Sequence, residues 1–371
     1  MIPVLDRRRL NRATLARQLL LRRHDLPVAD AVARLVGLQA QTPHTWYVGL
    51  WSRLAGFRPE TVAELLVKRR LVRMALMRST LHLVAAGDAW ALRPLVQPAL
   101  DRDLFHNSIH GRPVAGVDVP ALAAAGREIL AERPLTNREL GARLAARWPD
   151  LPPATLAYAV RTQVPLVQVP PRGLWGRSGP IAHTTAQAWL GPGAPAAATL
   201  RDLVLRYLAG FGPATVADLQ RWCGLTRLGE VVDGLRPELT TFTDERGREL
   251  FDLPDAERPD PDTPVPPRFL YDFDNLLVSY VDRSRVLTSE HRDQRYDPHG
   301  PVPQLVLVDG FAAGDWRLDR RRDGATLTVR PYRPLPSADV DALVAEATDL
   351  LAFLAPGAGD RRVDVAPARR S

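Results

Sequence analysis

Among its 371 residues the chain has one cysteine, and lysine is nearly absent from its 49 basic residues. Cys223, standing alone, excludes an intramolecular disulfide framework and a cysteine-based zinc site, so the core alone must hold the fold. Lys68 is the sole lysine, which leaves it and the terminal amine as the only groups able to form a Schiff base. No apolar run approaches the ~18 to 20 residues needed to span a bilayer, so no membrane partner is expected. Met1–Arg9 leads into no apolar stretch with a small-residue cleavage site, which predicts no secretory signal and a cytoplasmic location. No coiled-coil segment is visible, and a monomer without an obligate protein partner is expected.

What is there is ordinary globular material, 46% hydrophobic and 25% charged, long enough for two or three cores. The charge is unevenly placed. Residues 1–115 carry 18 Lys or Arg against 8 Asp or Glu, a net +10 that leaves −3 for the remainder of a +7 chain. Such an imbalance fits a polyanionic partner, and the lack of a basic amphipathic anchor favours nucleic acid over an acidic membrane.

Periodicity gives a mainly α reading with β-ribbons. Helices are expected around Leu15–Leu20, Val28–Val36, Thr45–Leu54 and Pro59–Arg70, followed by strands Leu71–Met77 and Leu81–Ala85. Helices closed by a two-stranded ribbon outline a winged helix. The outline recurs with helices Ala121–Glu132, Asn137–Trp148 and Pro153–Gln163 and a ribbon of Leu166–Val169 with Leu174–Trp175. It recurs again with helices Leu200–Gly210, Ala214–Gly224 and Leu228–Leu235 and strands Leu239–Thr243 and Glu249–Leu253. Three tandem winged-helix units are therefore expected at 1–115, 116–196 and 197–256. Pro254–Pro267 reads as a linker. A C-terminal β-rich region at 268–356 should hold strands Arg268–Phe273, Leu276–Tyr280, Arg285–Thr288, Gln304–Val308, Gly314–Asp319 and Ala325–Arg330, then a helix Asp339–Leu354 and a frayed tail.

The most informative segment is Gly37-Leu38-Gln39-Ala40-Gln41-Thr42-Pro43. If the helix ends at Gly37, the triplet is extended and both glutamines face one side; in a continuing helix they would diverge by about 200°. Thr42 and Pro43 suit an N-cap and first position of the next helix, which favours the extended case.

This segment belongs to a wider pattern. Gly37 to Gln41, the ribbon Arg78-Ser-Thr-Leu-His-Leu-Val84, the run Gln163-Val-Pro-Leu-Val-Gln-Val-Pro-Pro-Arg-Gly-Leu-Trp-Gly176, Phe211-Gly-Pro213 and Asp309-Gly-Phe311 together resemble the winged-helix DNA glycosylases named for AlkZ and YcaQ. The likeness runs over nearly the whole chain. It implies three tandem winged helices with a β-rich C-terminal part and activity on N7-alkylated guanines in double-stranded DNA, in some members on interstrand crosslinks. It also implies a catalytic signature of Gln, an apolar residue, then Gln or Asp, which Gln39, Ala40 and Gln41 match in the Gln form. Members with that form resemble self-resistance enzymes of producers of azinomycin-like alkylators. An N7-alkylguanine already carries positive charge and leaves without protonation, so uncharged amides that hold a water and face the sugar cation are enough. No cofactor or metal is implied, and a nucleoid-associated monofunctional glycosylase is expected. The alternative is a non-catalytic winged-helix DNA binder, either a regulator or a protein that sequesters adducts.

Other residues are read against blander roles. Arg78, Thr80 and His82 on the first ribbon are candidate phosphate contacts, His82 equally a structural hydrogen-bonding residue. Arg172, Trp175 and Arg177 form a candidate wing tip with a cation and a wedge, or equally a packed Trp in a turn. His106 and His110 have i, i+4 spacing but no third metal ligand. Gly191-Pro-Gly193 lacks the lysine of a helix-hairpin-helix glycosylase. Trp46, Trp51 and Trp90 read as core.

Overall fold

The computed structural model describes residues 2–193, 198–294, 296–297 and 300–368. Among the described residues helices are joined by three sheets, a mixed class with more helix than strand, as the periodicity implied. Among the described residues no helix is long and apolar enough to cross a membrane.

The first two ribbons do not stand apart as separate wings. They merge into one antiparallel six-stranded sheet, in the order Leu38–Gln39, Leu81–Ala85, Leu71–Ala75, Leu166–Gln168, Ala182–Thr185, Leu135–Thr136. The join is Arg73 opposite Gln168 and Met74 opposite Val167. The returning strand of the second ribbon is Ala182–Thr185 and not Leu174–Trp175, because Gly173 and Gly176 turn the chain at positive φ there. The third ribbon, Thr240–Asp244 with Glu249–Asp252, takes Val4–Leu5 as a parallel edge strand.

Helix starts in the second and third units repeat one device. Thr136 with Glu139, Thr199 with Asp202 and Thr215 with Asp218 each form a reciprocal capping box, which satisfies two otherwise orphaned N–H groups. The first helix, Arg7–Arg17, is buried from Leu10 onward although rich in polar residues. Its Asn11 Nδ2 donates to the Arg285 and Gly310 carbonyls, both at 2.8 Å, and Arg12 Nε donates to the Thr263 carbonyl at 2.8 Å. The segment read as a linker is therefore docked on this helix.

In the C-terminal region the strands Arg268–Phe269, Gln304–Val308, Phe311–Arg320, Gly324–Pro331 and Asp360–Val365 form one sheet, covered by the helix Ser337–Leu354. The tail read as frayed supplies its last strand, pairing parallel with Gly324–Pro331. Two expected strands are not strands. Asn275–Val278 is a short helix capped by Asp274, and Arg283–Arg285 a 3-10 turn capped by Asp282. Their apolar runs meet burial from all sides, a pattern that cannot separate strand from helix. The core is continuous between regions: Trp46, Tyr47 and Trp51 pack with Phe269, Trp316 and Leu343, while Met74 and Val84 pack with Tyr207, Phe211 and Trp222.

Candidate active site

The chain leaves the helix Val28–Arg34 through two left-handed residues, Val36 at φ 53° and Gly37 at φ 91°. Gly37 is needed twice over: its φ disfavours a side chain, and a Cβ would lie 2.6 Å from a Val84 methyl. The exit delivers Leu38–Gln39 as the edge strand of the six-stranded sheet, Gln39 opposite His82. The Ala40 N–H continues the ladder to the Leu81 carbonyl at 2.7 Å. The triplet is extended, and both glutamines reach one turn. Gln39 Oε1 accepts from Arg78 Nη2 at 2.8 Å, and Gln41 Oε1 accepts from the Leu81 N–H at 3.0 Å. Those donors fix which end of each amide is oxygen and leave each with a free lone pair and two N–H donors. Gln39 is buried and Gln41 exposed.

The turn itself is strained. Arg78 at φ 55° and Ser79 at φ 58° are consecutive non-glycine residues in the left-handed region, a cost that tends to persist where geometry is functional. Arg78 Nη1 also donates to the Trp222 carbonyl, tying the turn to the helix Val216–Cys223 of the third unit. From the opposite face of the sheet, Arg73 Nη2 donates to the Ala40 carbonyl at 2.8 Å and its Nη1 to Gln168 Oε1 across the Arg73–Gln168 register pair. Two guanidiniums thus clamp the triplet from both faces. Burial pushes each down to about 10, and the bonds named go to neutral oxygens.

The helix after the triplet starts at the expected Thr45, and Thr42 and Pro43 are not its N-cap and first position. It runs Thr45–Trp51 with His44 as N-cap at φ 70°. Asp272, a buried carboxylate, accepts from the Thr42 hydroxyl, from Thr45 Oγ1 at 2.7 Å and from the Phe273 N–H at 3.2 Å.

Residues 32–353 match the family model described as DNA glycosylase AlkZ-like. The chain belongs to the AlkZ-like DNA glycosylase family. Among its relatives is the Streptomyces sahachiroi interstrand DNA cross-link repair glycosylase, 27% identical over 369 residues, covering 94% of this chain and 95% of the relative. The solved structure of the Streptomyces sahachiroi DNA glycosylase AlkZ is similar in fold, with a TM-score of 0.76 at 23% identity, covering 98% of this chain and all of that one. The reaction class is thus hydrolysis of an N-glycosyl bond in DNA.

Around the triplet of this glycosylase, the residues expected to touch DNA divide sharply. His82 is 2% exposed, with Nδ1 at 2.9 Å from the Thr80 carbonyl oxygen. Burial and the neighbouring Arg78 push it down to about 3, so it is neutral and out of reach of a phosphate; it supports the strand that holds Gln39. Arg78 is spent on Gln39 and Trp222, and the Thr80 hydroxyl donates to the Met77 carbonyl at 3.0 Å. Trp175 is no free wedge: its ring lies 4.9 Å from Tyr47 and 5.1 Å from Phe353. Arg172 is half-buried and donates to the Gly179 carbonyl at 3.2 Å, while Arg177 is exposed. Lys68 is on the surface, 3.0 Å from Glu64. His106 and His110 turn to different partners, the Arg102 carbonyl and Thr155 Oγ1. Sequence reading passed over Arg73 and Asp272. Arg73 had a signal, a lone cation at the centre of the apolar strand Leu71–Ala75; Asp272, between Tyr271 and Phe273, had none that pointed to the triplet.

Proposed function

We propose that the chain excises N7-alkylated purines from duplex DNA as a monofunctional glycosylase, with Gln39 and Gln41 holding the attacking water and facing the sugar cation. What supports this is the convergence of both amides on one strained turn, each anchored through its oxygen while a lone pair and two N–H groups stay free. A carboxylic acid is the usual means of protonating a glycosidic leaving group. A cationic alkylpurine needs none, and placed dipoles suffice to orient water and stabilise the developing cation. By the same logic neutral lesions such as uracil are poor substrates. The basic N-terminal third supplies sequence-independent attraction to phosphates, and exposed Arg177 and half-buried Arg172, beyond that third, add contacts of their own. The reading extends to the release of crosslinked purines, the activity carried in the Streptomyces relative's name, in self-resistance to a DNA-alkylating natural product, by a monomer without cofactor.

The test is a duplex with a single N7-methylguanine. Loss of the base, with strand scission only after alkali and little borohydride trapping, is the expected result. Binding that leaves the glycosidic bond intact refutes the catalytic reading, and efficient trapping lost in Lys68→Ala refutes the monofunctional one.

A further inference from the structure

Immediately beyond the triplet lies a cavity of about 690 Å³, between the start of the Thr45–Trp51 helix, the turn around Trp175 and the strand Phe311–Arg320. This is the size of a small-molecule site and far more than a lone methyl group needs. Pro43 and His44 form one wall, with Val48 behind them; Trp175 forms the second and Trp316 with Leu318 the third. Its polar atoms are largely committed. Trp316 Nε1 donates to the Leu270 carbonyl at 2.9 Å, and His44 Nε2 is 2.8 Å from the Leu174 carbonyl oxygen. Arg317 and Arg320 also line the strand side, where Arg320 Nη2 donates to the Leu354 carbonyl at 2.7 Å and Arg317 pairs with Asp319 at 3.0 Å, and most of the surface left for a guest is apolar. At the rim Val302 is 45% exposed, an apolar side chain left facing water.

Neither Gln39 nor Gln41 lines this space, although Pro43 does. A nucleotide with its anomeric carbon at the glutamines therefore sits beside the cavity and not in it. Whatever enters must extend from the base. We propose that the cavity receives a planar aromatic substituent carried by the alkylated purine, seated between Trp175 and the wall of Trp316 and Leu318. Aromatic rings prefer offset or edge-on contact with other rings, and a site with few unspent donors selects apolar planar groups over polar ones. The proposal rests on the glutamine-centred reading above, since it is that placement which puts the substituent in the cavity.

The experiment compares single-turnover excision, at limiting protein, from duplexes carrying one N7-methylguanine, one N7-benzylguanine or one N7-(cyclohexylmethyl)guanine. Benzyl should be removed at least about tenfold faster than methyl, with cyclohexylmethyl well behind benzyl. Leu318→Trp, which fills the cavity from its third wall, should bring the benzyl-to-methyl ratio to about one. Equal rates for methyl and benzyl overturn the proposal and leave the glycosylase reading intact; equal rates for benzyl and cyclohexylmethyl overturn its aromatic character. If no duplex is cut, the catalytic reading fails, and calorimetry with free N7-benzylguanine and N7-methylguanine bases decides for the cavity. Heat with the benzyl base alone supports it, and no heat with either overturns it. The same calorimetry stands in if Leu318→Trp does not fold.

Discussion

Buried and half-buried arginines in two regions are treated in opposite ways. Where the N-terminal helices meet the third unit and the C-terminal region, each meets a carboxylate. Arg53 and Asp274, both wholly inaccessible, pair at 2.8 Å, and Arg17 pairs with buried Asp252 at 3.0 Å. Around the Gln39–Gln41 triplet, Arg73 and Arg78 donate to an alanine carbonyl, a tryptophan carbonyl and two glutamine amides. A paired buried arginine fixes how elements meet. An arginine matched only by dipoles keeps its field, and costs stability that the fold gains nothing from unless the field or the geometry is used. The pairs hold the frame; around the triplet the cations are matched by neutral oxygens, as is Arg93, which is buried away from it and donates to Gln97 Oε1 and the Thr162 carbonyl.

Breaking a pair should give the largest effect. Asp274→Ala leaves Arg53 buried and unmatched, and unfolding stability should fall by about 3–5 kcal/mol, read from the denaturant midpoint. A loss under 1 kcal/mol would mean that the pair is no pin and that the two regions do not differ in kind. Next come the amides themselves. Gln39→Ala and Gln41→Ala should each slow single-turnover excision by roughly 10- to 1,000-fold, the range for removing a placed dipole, with DNA affinity near wild type. Rapid excision by the double variant would remove the triplet from the mechanism.

Arg78→Met sharpens the comparison further. It deletes a half-buried cation whose partners are neutral, so stability should change by less than about 1 kcal/mol in either direction, in contrast to Asp274→Ala. Excision should fall about tenfold because Gln39 loses its anchor. The salt dependence of binding to undamaged duplex should not move, since a phosphate contact adds about −0.9 to the slope of log K against log salt and this guanidinium faces inward. A shallower slope would return Arg78 to the DNA surface.

How far the sequence showed this division depends on the range of each interaction. The extended triplet was legible because its causes are local: Gly37 ends the helix and alternation has period 2. The phosphate role assigned to Arg78 and His82 was not, because strand pattern gives a residue's face and not what will cover it. The merging of two ribbons, and the Trp222 carbonyl that takes up Arg78, come from segments far apart in sequence. Asp272 is the extreme case. It acts on Thr42 from 230 positions away, and a lone aspartate between aromatics reads like any helix cap or turn. For the same reason the strands expected at Leu276–Tyr280 and Arg285–Thr288 were lost to Asp caps that the apolar runs concealed.

The smallest expected effect is also the most discriminating. Excision should hardly change from about pH 6 to 8.5, and the reason can be followed group by group. Gln39 and Gln41 do not titrate. Arg73 and Arg78, lowered by burial to about 10, stay protonated throughout. His82, lowered to about 3, stays neutral throughout, and His44, lowered by burial from its ordinary value, is neutral over most of the range. The cationic lesion brings its own activation, so no acid limb is needed on the enzyme. A pair of catalytic carboxyl or imidazole groups would instead draw a bell within that window. The measurement is the single-turnover rate on N7-methylguanine duplex at constant ionic strength, corrected for spontaneous depurination. A bell-shaped profile would show that a titrating group, and not the dipoles clamped between the two arginines, limits the chemistry. Gln41→Asp gives the internal contrast: it places a carboxylate where the amide stood, and its profile should acquire an acid limb that the wild type lacks.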